Sequence, residues 1–158
     1  MREIEFRIKD KDAWYYNTPL LETKNNAVAV RDCDGNYYAI FADAKTLGQY
    51  TGLKDKNGQK IFEGDIVEFE TNIDCLKDGL KPYWKDCIEK QMAIGGGAYF
   101  VRKDQGVVQW NAKKGMWDLK VYNNGKYKRK SKLFTYRESD YVVIGNIWDN
   151  GNLLKGEK

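Results

Sequence analysis

Polar and apolar side chains alternate along the first residues of the chain, with Ile4, Phe6 and Ile8 on one side, the period of two that a half-buried strand requires. The pattern predicts an opening strand from Glu3 to Ile8. Two β-prone runs, Ala27 to Arg31 and Tyr37 to Phe41, flank Asp34-Gly35, and glycine there accepts the positive φ of a tight turn, so a hairpin is predicted. Further on, Asn57-Gly58 and Glu63-Gly64-Asp65 punctuate short apolar runs that end in Ile66, Val67 and Phe69, a strand, turn, strand pattern. From residue 71 to residue 97 the character changes. Lys81-Pro82 is followed by Tyr83, Trp84, Cys87, Ile88 and Met92, spaced to share one side of a short helix, which Gly95-Gly96-Gly97 then breaks. Gly106 to Trp110, Met116 to Tyr122 and Tyr141 to Trp148 are again strand-like, joined by turns at Lys114-Gly115 and Asn124-Gly125.

Short strands at close spacing, with almost no long helical pattern, predict a mainly β protein. A small barrel or sandwich is the expected form, because closing a sheet hides the edges that invite aggregation. Residues 71–97 read as an insertion into it. No repeat of fixed period and no Pro-rich or Ser-rich linker divides the chain. The end, residues 151–158, is polar with only Leu153 and Leu154 to anchor it, and is expected to be mobile.

Length and composition narrow the chemistry. The 158 residues suffice to bury a core without disulfide or metal, and 42% hydrophobic with 32% charged residues is a globular balance. No apolar run approaches the roughly 20 residues that span a bilayer, and MREIEFRIKD lacks a signal-peptide core, so no membrane association and a cytoplasmic location are expected. Cys33, Cys75 and Cys87 form no CxxC pair, which fits a reducing compartment. The chain has no histidine, and with it go the side chain that titrates near neutrality and the commonest transition-metal ligand. No catalytic residue, metal site or cofactor is assigned, and the chain is read as not an enzyme.

Three segments together, MREIEFR at the start, QYTGLKDKNGQKIFEGDIVEF at residues 49–69 and VIGNIWDN at residues 143–150, closely resemble the YopX family of phage and prophage proteins. GVVQW at residues 106–110 is a weaker fourth piece, and residues 71–97 are unmatched. The resemblance implies an SH3-like small β-barrel, a setting in the cytoplasm of an infected or lysogenic bacterium, a homo-oligomer, and no known activity. Combined with the pattern above, it divides the chain into an N-terminal β extension over 1–48, a YopX-like SH3-type barrel over 49–150 with a short helical insertion at about 71–97, and a mobile tail over 151–158.

Within the distinctive block Asp55 to Asp65, Asn57-Gly58 and Gly64 are what tight turns require sterically, so a structural role is expected. Glu63 and Asp65, as adjacent turn carboxylates, are expected to bond nearby backbone amides rather than act as an acid and base pair. Gly95-Gly96-Gly97 lacks the Gly-Lys-Ser/Thr of a phosphate loop, and Cys75 and Cys87 with Asp74 and Asp86 fall short of a four-ligand metal site. The strongest partner-binding feature is Lys126, Lys128, Arg129, Lys130 and Lys132, interleaved with Tyr127. Cations there neutralise phosphates and an aromatic face stacks bases, although alternating lysines also protect an exposed edge strand. Tyr83 and Trp84, on the unmatched segment, are candidates for a surface that meets another protein or another subunit. The leading expectation is therefore a non-enzymatic accessory protein of a phage, working through contacts with a host or phage protein and with its own copies. The alternative is a nucleic-acid-binding module using residues 126–132.

Overall fold

The computed structural model describes residues 4–16, 20–22, 27–31, 34, 36–74, 99–133 and 141–155. Along these the strands are β1 (Phe6–Asp10), β2 (Ala13–Tyr16), β3 (Leu20–Glu22), β4 (Ala27–Arg31), β5 (Tyr37–Phe41), β6 (Gly48–Lys54), β7 (Lys60–Phe62), β8 (Asp65–Asp74), β9 (Tyr99–Asn111), β10 (Met116–Asn123), β11 (Lys126–Lys132) and β12 (Tyr141–Asn146). Short 3₁₀ helices lie at Ala44–Thr46 and Gly151–Lys155. The protein is mainly β, and its largest sheet curls into a half-barrel.

Three antiparallel sheets account for the strands, in the orders β2-β1-β6-β7, β3-β4-β5 and β11-β10-β9-β8-β12. Glycine conformation fixes the connection between the first and the third: Gly64 takes φ +82, which turns the chain sharply from β7 into β8. Leu53 and Ile61 of the β6–β7 hairpin pack on the inner face of the five-stranded sheet, against Val67, Phe69, Val108, Trp117, Leu119, Val121, Leu133 and Tyr141. Gly106 permits this packing. A Cβ there would stand 3.1 Å from the Leu119 side chain and 3.2 Å from the Phe69 ring. A second, smaller core joins Ile8 and Ala42 with Tyr15 and Leu47.

The hairpin expected from Ala27–Arg31 and Tyr37–Phe41 forms with those boundaries, and β3 pairs with β4 beside it. Elsewhere the expectations need correction. The opening strand runs over Phe6–Asp10 rather than from Glu3, and its apolar side is not simply the inner one: Ile4 is 62% exposed, whereas Glu5 and Arg7 are buried. Arg7 tolerates burial because it is paired and stacked, as described below. Residues 71–74, expected to begin an insertion, instead continue β8 and pair with residues 99–102 of β9. Their alternation of Thr71 and Ile73 with Asn72 and Asp74 is itself a strand pattern. The remainder of the expected helical insertion, with Tyr83, Trp84, Cys75, Cys87, Asp86 and Gly95-Gly96-Gly97, lies outside the described residues, as does Cys33. The expected mobile tail starts with a 3₁₀ helix, Gly151–Lys155, in which the Leu153 amide donates to the Asn150 carbonyl at 2.9 Å.

Candidate functional site

The segments that are far apart in sequence meet around Arg7. This side chain on β1 forms an ion pair with Asp65 at the start of β8 (2.5 Å) and donates to the Glu63 carbonyl at 3.2 Å. Its guanidinium lies 4.7 Å from the ring centre of Trp14, 5.0 Å from Phe62 and 5.9 Å from Trp148. A delocalised, weakly hydrated cation suits such an aromatic cage. Asp65 also accepts from the Phe62 amide at 2.8 Å. Burial dominates its titration and pushes the carboxyl up to about 6, against the pull of Arg7 and the Phe62 amide in the other direction. Gly48 sits beside the pair because any Cβ would meet the Glu63 carbonyl oxygen at 2.6 Å.

The other polar residues of these segments are equally occupied. Asp55 accepts from the amides of Asn57 (2.8 Å) and Gln59 (2.9 Å) across its own turn, and from Val143 of β12 at 3.1 Å. These hydrogen bonds to the ionised form outweigh its desolvation, the largest single influence, and leave its carboxyl below the usual range. Asp149 accepts from Trp14 Nε1 (2.7 Å), from Asn146 Nδ2 (2.9 Å) and from Lys9, and the Lys9 hydrogen bond above all holds it down to about 2. Glu63 accepts from the Trp110 amide at 3.1 Å. Thus Glu63 and Asp65 secure backbone and arginine, in accord with the structural role expected of the turn. Beside them a cleft of about 240 Å³ is lined by Glu5, Arg7, Tyr16, Gln59, Lys60 and Phe62, with a Lys60–Glu5 ion pair across it.

Asp55 therefore joins the β6–β7 turn to β12. Asp55→Ala is expected to lower the unfolding free energy by about 1–3 kcal/mol, since three amides lose their acceptor. Urea unfolding of the purified variant measures this directly.

The two ends of the five-stranded sheet differ. At β12 the hairpin seals the edge: the Lys56 amide donates to the Tyr141 carbonyl at 3.0 Å, next to the Asp55 bond to Val143. At the other end β11 is the terminal strand among the described residues, and it is exposed nearly throughout. The basic stretch found in the sequence is this strand. Its register divides the stretch. Lys130 stands opposite Lys120, Lys132 opposite Asp118 and Tyr127 opposite Tyr122, which places these residues on the outer face, away from the core. Arg129 stands opposite Val121 and Lys126 opposite Asn123, toward the other face, and a register shift after Val121 leaves Lys128 without a direct partner. Lys120 and Tyr122, contributed by β10, were not found by sequence reasoning. Only cross-strand register unites them with Lys130 and Tyr127. Tyr127 is 51% exposed and meets Tyr122 edge to face, with ring centres 6.1 Å apart. No group of three or more metal-ligating side chains occurs among the described residues.

The arrangement defines a class: a mainly β half-barrel whose signature polar residues hold strands together and in which β11, terminal among the described residues, is basic and exposed. The chain belongs to the YopX family, whose model, described as "YopX protein", matches residues 5–155. In structure it is similar to protein EF1440 from Enterococcus faecalis, known from a crystal structure, with 24% identity and a TM-score of 0.50 over 98% of this chain and 99% of that one. That likeness bears on the fold alone. No curated protein matches the chain. No helix among the described residues is long and apolar enough to cross a membrane.

Proposed function

We propose that this YopX protein is a phage- or prophage-encoded accessory protein of the bacterial cytoplasm that works by contact rather than by catalysis, and that it meets an acidic partner through β11. In this reading the half-barrel is an SH3-like scaffold carrying an N-terminal β extension and a short helical insertion. The observation that supports it is the asymmetry of the five-stranded sheet: β12 is sealed by Asp55 and Lys56, whereas β11 presents Lys126, Lys128, Lys130 and Lys132 to solvent. Charge complementarity then selects a polyanion, since clustered cations attract and orient one. The same charge opposes pairing of two β11 strands from separate copies, so self-association would use another surface, such as the one assigned to Tyr83 and Trp84 from sequence.

Size-exclusion chromatography with light scattering tests this at about 50 mM salt, with poly-L-glutamate and oligothymidylate as two chemically distinct polyanions. The protein alone is expected at one defined mass, and to shift with at least one polyanion. The variant Lys126→Glu, Lys128→Glu, Lys130→Glu, Lys132→Glu is expected to lose that shift while keeping its melting temperature. A wild-type chain that ignores both polyanions would refute the reading.

A further inference from the structure

We infer that the outer face of β10 and β11 binds single-stranded nucleic acid, with phosphates on Lys120 and Lys130 and a base on Tyr127. This rests on the contact reading above and names its partner. The lysines of β11 alone do not require it, because a terminal strand is commonly protected by lysine. Two features lie beyond that explanation. Lys120 is on β10, the strand inside the edge, where protection has no purpose, and it stands directly opposite Lys130 with both side chains exposed. Like charges in directly opposed positions destabilise a sheet, so the pair costs folding stability unless an anion lies between them. The second feature is Tyr127. A half-exposed aromatic on an edge strand works against solubility, yet here Tyr122 braces its ring from the same face.

The shape of the surface selects one strand over two. Toward β8 the same face is buried at Val107 and Ile66, and beyond Gln105 it carries Glu68 and Glu70 with Lys103 of β9, whose charge is taken up by an ion pair to Glu68 at 3.1 Å. The exposed basic strip is thus two strands, or about 10 Å, wide. It accommodates one phosphate backbone, and a second backbone would fall against the two glutamates. Lengthwise, Tyr127 to Lys132 extends about 17 Å at the strand rise, a footprint of a few nucleotides. The register shift after Val121 also increases local twist at the Tyr122–Tyr127 end. An acidic peptide would satisfy the lysines but offers nothing for Tyr127 to stack upon.

The experiment is fluorescence anisotropy of a labelled oligothymidylate with the intact chain across a salt series. Contacts of Lys120, Lys130 and Lys132 to about three phosphates give a log–log slope of about −2 for a single strand, a loss of roughly 20-fold between about 50 and 200 mM salt. Removing Lys120 and Lys130 together, as Lys120→Gln with Lys130→Gln, is expected to reduce the slope by about 1.4. Lys45→Gln with Lys114→Gln removes the same net charge elsewhere and should leave the slope unchanged. Tyr127→Ala should weaken binding about tenfold at every salt concentration, with Tyr127→Phe restoring it, because stacking needs the ring and not the hydroxyl. Melting curves of each variant separate lost binding from lost folding. An equal effect of the control pair, or no effect of Tyr127→Ala, overturns the inference. Binding of poly-L-glutamate without oligothymidylate overturns it while the contact reading stands, whereas binding of neither removes both.

Discussion

Arg7→Ala is expected to lower the unfolding free energy by about 3–5 kcal/mol, the cost of leaving a buried carboxylate without its partner. Asp65 is 1% exposed and Arg7 5%, so water cannot replace the lost cation. The alanine also empties the space between Trp14 and Phe62, whose rings the guanidinium covers. Converting both partners, as Arg7→Met with Asp65→Leu, should cost much less than the sum of the single changes, because no charge is then stranded. Urea denaturation of the three variants measures the coupling. A loss below about 1 kcal/mol for Arg7→Ala would mean that the pair is not the interlock its geometry indicates.

The pair also has a pH signature. The Asp65 carboxyl lies near 6 in the folded chain and at an ordinary 3.8 when unfolded. Between these values the folded chain holds a proton that the unfolded chain has released. Stability therefore falls as pH rises from about 4 to about 6, by at most about 3 kcal/mol from this group, and levels off above. Asp149, held near 2, acts in the opposite sense: its contribution is present above about 4 and fades as pH falls toward 2. Asp65→Asn should remove the decline between pH 4 and 6, so the difference in stability between wild type and variant should change across that interval and nowhere else. A difference independent of pH would show that Asp65 titrates normally.

Gly64→Ala should be the second severe substitution, at about 2–5 kcal/mol. Two causes add. A φ of +82 costs an L-residue about 1–2 kcal/mol, and the new Cβ would lie 2.1 Å from Cη2 and 2.2 Å from Cζ3 of Trp148, forcing the ring away at a further cost of about 1–3 kcal/mol. Trp148 cannot retreat freely, since it packs against Trp14 at 5.5 Å. Gly64 also ties its turn to two other segments, its amide donating to Val108 of β9 at 2.9 Å and its carbonyl accepting from Ile147, just after β12, at 3.0 Å. Gly58→Ala separates the two causes. Gly58 has a similar φ of +80 but nothing within 4 Å of its Cβ position, so only the backbone cost applies. Equal losses at the two glycines would show that the Trp148 contact carries no energy. In a Trp148→Ala background, Gly64→Ala should cost little more than Gly58→Ala.

These effects explain why the segments that identify the family were readable in sequence although their purpose was not. Asn57-Gly58, Gly64 and Asn124-Gly125 are local: a turn needs a residue that accepts positive φ, and that requirement is written at the turn itself. The β-prone runs that gave β4 and β5 their boundaries are local in the same way. By contrast, Arg7 looked like the solvent side of an opening strand. Nothing nearby announces that Asp65, Trp14, Phe62 and Trp148 will enclose it, because its partners lie up to 141 positions away. Which tryptophans are buried depends on distant partners for a related reason. Of the tryptophans described, Trp117 alone is fully buried, Trp14 and Trp148 are partly covered, and Trp110 is 43% exposed beside Trp117.

The basic stretch divides along the same line. By itself the sequence determined that residues 126–132 carry dense positive charge around a tyrosine, that a turn at Asn124-Gly125 precedes them, and that the chain is mainly β, for each of these depends on residue type and near-neighbour spacing. Tertiary structure alone decided that this stretch is the terminal strand among the described residues, that Lys130 faces Lys120 and Tyr127 faces Tyr122, and that Arg129 points elsewhere. Strand register arises from pairing across the sheet, and a single residue of slip exchanges every side chain between faces, so no local pattern can fix which residues share a surface.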